Sequence, residues 1–473
     1  MLKSNIVANF LGAGYGMALQ FVMVPVTLHY LGPQAYGLVG IYATLLAILS
    51  VLDLGLAPAL TRELSRLSVL DDGIRLMRST VTTLEVVSIC SAVGVGLLIW
   101  MIAPLLAKYW FTSSNLSSDL VTVCLQWLGL QSAFQFLTNY YSSGLVGLQR
   151  IILGNAVAAI THTLRTIALL WLLVTKPEIE LYFICQAATS LFAMVATACA
   201  LYFALSAQEK ISAVLSKQEI RSRVVATLTN RYSHERFLSC RSYAAGMAAT
   251  ALSTLLLTQL DKIILSKMLS LEDFGYYTIA GSLASLLAKP AGLVLGATLP
   301  RMTQLAISGE TAVLTQVYFK ASALVSWLVL PTAGILIGFS EPLLNLYLRN
   351  SHNAHHIAPL VAALAVGSAL HSITFIPYGL TLAYGWSRFG VNFGLIGCLT
   401  LLPFIILATR YYGALGAAAM WALLCFSYVT IFMTVIHRKY LSGVLSTWYR
   451  QVCFWQGLAC IGLTCLGFFV GQL

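Results

Sequence analysis

Charge is what this chain has least of. Acidic residues number 16 and Lys plus Arg 27 among 473, so charged residues are 9% of the chain, against about a quarter in an average soluble domain. That scarcity excludes an ordinary water-facing surface. No Walker-type phosphate loop and no soluble catalytic domain occurs, so ATP does not drive this chain directly. No CxxC pair or Cys/His ligand spacing occurs either. Most of the ten cysteines lie inside apolar runs, where a thiol behaves as a small apolar group, and no disulfide framework is expected. The first apolar run, behind Lys3, is too long for a signal-peptide core and lacks a small-residue cleavage pattern; it reads as an uncleaved first span.

What is present is hydrophobic length. Hydrophobic residues are 59% of the chain and mean hydropathy is +0.84. Runs long enough to cross a ~30 Å hydrocarbon core as helices recur from end to end. Expected spans lie near 5–29, 36–60, 80–106, 120–147, 151–174, 181–206, 242–265, 276–300, 318–340, 357–384, 389–409, 413–436 and 451–471. Such runs are far too long for barrel strands, and lipid cannot satisfy open backbone groups, so an all-α polytopic bundle follows. With the N-terminus inside, nineteen Lys and Arg fall on the cytoplasmic side and six on the other. This is a positive-inside bias. The net charge of +11 is thus mostly topology, and nucleic acid is not an expected partner.

An internal repeat organises the runs. Tyr30-Leu31-Gly32-Pro33-Gln34-Ala35-Tyr36-Gly37 aligns with Met268-Leu269-Ser270-Leu271-Glu272-Asp273-Phe274-Gly275 at an offset of 238 residues. Each octet follows a long span, places an aromatic-Gly pair six residues after its Leu, and opens into the next span. Six spans per half put both halves in the same orientation, a parallel repeat of the kind transporters use. The expected organisation is a first lobe over 1–206, a basic cytoplasmic linker over 207–241, a second lobe over 242–440 and an additional C-terminal span over 441–473. The linker, with seven basic and three acidic residues, could lie on the inner leaflet as an amphipathic helix or simply anchor the topology.

Asn9 and Pro25 in the first span, the Leu31-Gly32-x-x-x-Tyr36-Gly37 turn, and Asp53-Leu54-Gly55-Leu56 just before Arg62 together resemble the N-terminal signature of polysaccharide flippases. These are Wzx-type O-antigen and exopolysaccharide repeat-unit transporters of the multidrug/oligosaccharidyl-lipid/polysaccharide (MOP) superfamily. Asp261, Phe274-Gly275-Tyr276-Tyr277 and Pro300 in the second half resemble the family too. The resemblance implies two six-helix lobes around a central cavity, no enzymatic step, and translocation of an undecaprenyl-pyrophosphate-linked oligosaccharide across the bacterial inner membrane. It names a polysaccharide polymerase and chain-length proteins as possible partners. Members usually have twelve or fourteen spans; the odd thirteenth, at 451–471, would put the C-terminus outside.

Two cations, Arg165 and Lys289, lie deep in apolar runs with no acid at matching depth. Buried ionised groups are costly in lipid and are functional candidates by default. Arg165 is ~14 Å from the outer end of its span, with His162 one turn before it on the same face. A guanidinium suits forked contact with phosphate oxygens, and the alternative is a side chain that snorkels outward or bonds to a helix kink. Lys289 precedes Pro290, with Gly292 beyond, so a kinked helix and an ammonium could form a polar spot near mid-depth. Lys289 could instead pair with Asp53. Asp53 and Glu85, toward the inner ends of their spans, read as structural carboxylates or as H+ or Na+ coupling sites. His371, mid-span, reads as a hydrogen-bonded bundle histidine or a proton relay. Pro25, Pro290 and Gly292 are the expected hinges.

Two patterns mislead. Gly12-Ala13-Gly14-Tyr15-Gly16 looks like a nucleotide loop, but no strand precedes it, and close helix packing or local unwinding is expected there. His352, His355 and His356 share an outer loop without the other ligands a metal site needs, and no metal is expected. The rival functions are a cation-coupled multidrug exporter, which would want embedded carboxylates in the first span, and a membrane polymerase or ligase, which would want a large outer loop. The sequence offers neither.

Overall fold

The computed structural model describes residues 2–51, 56–67, 73–110, 117–215, 259–349 and 351–471. Asp53, most of segment 207–241 and the start of the expected seventh span lie outside the described residues. Helix accounts for 94% of the described residues, and no strand occurs among them. Among the described residues nine helical stretches are long and apolar enough to cross a membrane. One of them, Asn392–Tyr440, has 49 residues. That is more than ~70 Å of helix, enough for two crossings. Gly413, at φ 59°, breaks it where the sequence predicts an outer turn. The protein is an all-α, multi-pass membrane protein.

Contacts divide the chain into two compact units: residues 1–32 with 41–255, and 33–40 with 256–473. In the first unit, α1 (Leu2–Val51) passes through Pro25 and departs from helical dihedrals at Gly32, whose φ of 79° only glycine adopts cheaply. After it come α2 (Leu56–Leu67), α3 (Gly73–Tyr109), α4 (Ser118–Gly147), α5 (Ile151–Thr175) and α6 (Ile179–Leu215). Leu56, Leu60 and Leu64 of α2 recur every fourth residue and meet Met77, Val81 and Leu84 of α3 and Leu145 of α4. The far face of α3 carries Leu97, Trp100, Met101 and Leu105 exposed. A helix apolar all round, with only one face packed, is one that lipid solvates.

The second unit begins with helical residues 259–268, then α7 (Leu271–Ser285), α8 (Ala288–Ser308), α9 (Thr311–Gly338), α10 (Ser340–Leu348) and α11 (Ser351–Ile373). It continues through α12 (Phe375–Ala383), α13 (Ser387–Ser427), α14 (Met433–Tyr440), α15 (Leu445–Trp448) and α16 (Trp455–Gly471), with π-helical turns at Tyr428–Phe432 and Tyr449–Phe454. Residues 33–40 belong to this unit because the two repeated octets pack on each other. A Cβ on Gly37 would strike the carbonyl of Leu271, and one on Gly275 would lie 2.6 Å from the carbonyl of Pro33. Only glycine permits so close an approach. The expected C-terminal span also packs here. Gly334 and Gly338 of α9, one turn apart, seat the backbone of Cys460, Thr464 and Gly467.

Candidate functional site

The chemistry-bearing side chains lie in two separate neighbourhoods of the first unit and one stretch of the second. Arg165 sits midway along α5. Its Nε donates to Thr189 Oγ1 (3.2 Å) and its Nη2 to Ser190 Oγ (2.8 Å), both on α6. The phenols of Tyr42 and Tyr182 are close enough to act electrostatically on it. The guanidinium therefore does not snorkel outward; α6 hydroxyls hold it. Antiparallel geometry explains the meeting. Arg165 is ten residues before the end of α5, and Thr189 is ten after the start of α6. None of the partners is an anion, and among the described residues Arg165 makes no ion pair.

His162, one turn earlier, is exposed and lies beside Gly16 of α1. The glycine-rich stretch of α1 is a helix-packing seam. A Cβ at Gly12 would lie 3.1 Å from the side chain of Asn155, and Tyr15 Oη is 2.7 Å from Thr163 Oγ1. Small residues on α1 let α5 approach, and α5 presents His162 and Arg165 along the same direction.

Glu85 of α3 forms the second neighbourhood. Tyr141 of α4 donates to its Oε1 at 2.8 Å, and Tyr202 of α6 donates to its Oε2. Its carboxylate thus ties three helices together. One turn away, Tyr140 donates to the Val81 carbonyl at 2.6 Å. Thr189, Ser190, Tyr141 and Tyr202 are the residues that sequence reasoning missed. The signal available was depth: each lies in its span at the level of the charged residue it meets.

In the second unit Lys289 is exposed, and among the described residues it has no ion pair. Regular helix is interrupted just before Pro290, between Ser285 and Ala288. In a regular helix residue 290 would donate to Leu286, but proline has no N–H. The Leu286 carbonyl is instead taken by Lys289 N at 3.2 Å, and the preceding N–H groups bond three residues back. The freed carbonyl is therefore satisfied by backbone, and the polar spot is the ammonium alone. Gly292 has only the ring of Phe375 near it, at 3.9 Å from a built Cβ. His371 of α11 is enclosed by Phe375, Trp421 and Tyr428 with ring centroids 5.2–5.8 Å away. Its Nδ1 is buried with no hydrogen-bond partner among the described residues. Outside these sites, Asp261 accepts from Tyr277 (2.9 Å), His355 rests on Glu341 and His356 stacks on Tyr276. Among the described residues no set of three or more His, Cys, Asp or Glu side chains could hold a metal.

The sequence profile of the polysaccharide biosynthesis protein family matches residues 2–306. The chain belongs to this family. Its solved structural neighbours are transporters of the MOP superfamily. An inward-facing multidrug resistance MATE family transporter superposes with a TM-score of 0.67 at 13% identity, over 94% of this chain and 95% of that one. The lipid II flippase MurJ, in an inward closed conformation, gives 0.63 at 13% identity over 98% of each chain. A MOP superfamily transporter from Pyrococcus furiosus, described as having a binding pocket of reverse polarity, gives 0.53 at 12% identity over 99% of this chain and 95% of that one. A search of curated proteins finds no match. At these identities the neighbours establish the MOP transporter fold; the family establishes polysaccharide biosynthesis.

Proposed function

We propose that this protein is a flippase that carries a polyprenyl-pyrophosphate-linked oligosaccharide from the inner to the outer leaflet of the bacterial inner membrane by alternating access, with no bond made or broken. The observation that carries the reading is Arg165: a guanidinium deep in a span whose partners are hydroxyls, with no carboxylate in an ion pair among the described residues. A cation kept uncompensated in a low-dielectric setting creates a strongly favourable potential for a phosphate. Two of its donors are spent on Thr189 and Ser190, which leaves others for an incoming anion. Lys289, exposed and without an ion pair among the described residues, adds a second positive centre. The MATE-like fold equally suits an exporter of cations, but the charge of the deep side chains favours an anionic cargo.

The test uses purified protein in proteoliposomes with a fluorescent polyprenyl-pyrophosphate oligosaccharide and the matching neutral glycolipid. The pyrophosphate lipid is expected to flip faster and to lose its advantage in high salt. Equal rates for the two lipids, or efflux of cationic dyes that depends on Asp53, would reverse the reading.

A further inference from the structure

Rings of the second unit touch in a continuous series whose character changes along its length. Around the fully buried Phe432, Phe389 and Phe393 pack at centroid distances of 5.1 and 5.3 Å, and this stretch is carbon only. The series then passes to Tyr428, 4.9 Å from Phe393, and on to His371, which Phe375 and Trp421 also touch. These last four rings are half-buried. His371 Nδ1 is buried without a hydrogen-bond partner, and among the described residues no hydrogen bond engages the Trp421 indole N–H or the Tyr428 hydroxyl. Unpaired polar atoms are costly inside a span, and an enclosure built only for packing needs none of them. Two local features hold these rings in place. Gly367, one turn before His371, lets the indole lie against α11, because a Cβ there would strike Trp421. Tyr428 opens a π-helical turn whose Val429 carbonyl accepts from Tyr449. The enclosure also borders a cation. A Cβ on Gly292 would lie 3.9 Å from the Phe375 ring, and the exposed Lys289 stands one turn before Gly292 on α8.

We propose that His371, Trp421 and Tyr428, together with Phe375, form a saccharide-binding site that receives a sugar ring of the cargo, with Lys289 placed to meet the phosphate beside it; this rests on the transport reading above and extends it to the sugar. A pyranose has two kinds of surface. Its C–H groups are slightly positive and stack on the negative face of an aromatic ring, and its hydroxyls both donate and accept hydrogen bonds. The enclosure offers the matching set: rings, an indole donor, a hydroxyl of either sense and an imidazole nitrogen. Apolar walls with a few placed polar groups are the usual make-up of a small-molecule site. The other guest that aromatic enclosures hold is an organic cation. Lys289 beside Phe375 would repel one, and the groups that act electrostatically on His371 and Tyr428 include no carboxylate to attract it. The site gives the protein a way to tell a sugar-bearing carrier lipid from a bare one. A bare pyrophosphate lipid can satisfy Lys289, but it leaves the three polar ring atoms unpaired. A site that hydrogen-bonds a hydroxyl discriminates strongly against the analogue that lacks it.

The experiment has two arms. In the first, the full chain is labelled with fluorotryptophan, and the fluorine NMR signal of Trp421 is assigned by its loss in W421F. The protein is titrated with the free oligosaccharide released from the fluorescent pyrophosphate lipid, and separately with tetraphenylphosphonium. The sugar is expected to shift the Trp421 signal, H371L to abolish that shift, and the cation to leave the signal in place. A signal unmoved by the sugar, or moved by the cation alone, overturns the site. In the second arm, nanodisc-embedded protein is tested for affinity toward bare polyprenyl pyrophosphate and toward the same lipid bearing the oligosaccharide. Wild type is expected to prefer the sugar-bearing form roughly tenfold. H371L and W421L should lose that preference and keep the affinity for the bare lipid, whereas K289A should weaken both lipids alike. W327L, which alters an exposed tryptophan of α9, should change neither. A preference retained in both ring variants overturns the site, and so does an equal loss for both lipids, which would assign the rings to packing. Wild type that binds neither lipid sinks the flippase reading while the first arm still decides the enclosure.

Discussion

At the level of single residues, the positions of Arg165 and Lys289 lead to unequal consequences on mutation. Removing the Arg165 guanidinium gives up two hydrogen bonds to neutral hydroxyls. In a membrane interior such bonds average about 0.6 kcal/mol each, so R165A should insert and accumulate nearly as wild type. A charge-assisted bond to a phosphate is stronger, about 1.5–3 kcal/mol, and its loss should slow lipid flipping roughly ten- to a hundredfold. R165K keeps the charge without the fork and should fall between. The measurement is initial flipping rate per milligram of inserted protein. Lys289 is tested differently because Asp53 is its rival partner. If Lys289 serves the cargo, K289A should be defective alone and stay defective with D53A. Recovery in the double variant would assign the lysine to an ion pair. Arg165 was visible in the sequence as an unpaired deep cation; Thr189 and Ser190 were not. A hydroxyl mid-span has many roles, and only helix pairing selects which charge it meets.

At the level of elements, glycines decide which helices touch. Gly334 and Gly338 have the backbone of α16 against them, whereas Gly457 and Gly462 on α16 itself face open space. Hence G338L should overpack the seam, cost about 1–3 kcal/mol and lower the melting temperature in detergent, while G462L should leave it unchanged. The repeated octets behave alike: G37V and G275V must each push a side chain into a carbonyl and should destabilise the second unit. The octet repeat was readable as a pattern, and Gly32 as its turn. That the two copies pack face to face was not, because the glycines are 238 positions apart and nothing local records their approach. The hydrogen-bond shift just before Pro290 has a local cause instead, since a missing N–H acts on its own turn.

For the whole molecule, topology and cargo sign are the testable properties. Cysteine labelling of 341–356 should succeed from outside, and of 207–241 only after permeabilisation. Labelling of 341–356 from the cytoplasm alone would invert the topology and with it the inner-to-outer direction of transport. Expression in a drug-sensitive host should give no protection against cationic dyes. Both expectations follow from the sequence-predicted placement of the few charges: basic residues are expected on one side, and Arg165 and Lys289 lie deep in apolar runs.

By itself the sequence determined the solvent of this protein and its secondary structure and set an expectation for its orientation, because hydropathy, run length and charge asymmetry each act locally or by simple summation. It marked Arg165, Lys289, Glu85 and His371 as anomalous, since an ionisable group in an apolar run is visible without knowing its neighbours. Only the tertiary structure decided what each anomaly meets: hydroxyls for Arg165, two phenols for Glu85, an aromatic enclosure for His371, open space for Lys289. The physical reason is that side-chain partners in a helical bundle come from different spans at equal depth. The choice among spans is made by close packing, which small residues such as Gly12, Gly37 and Gly338 permit and which periodicity along one helix does not encode.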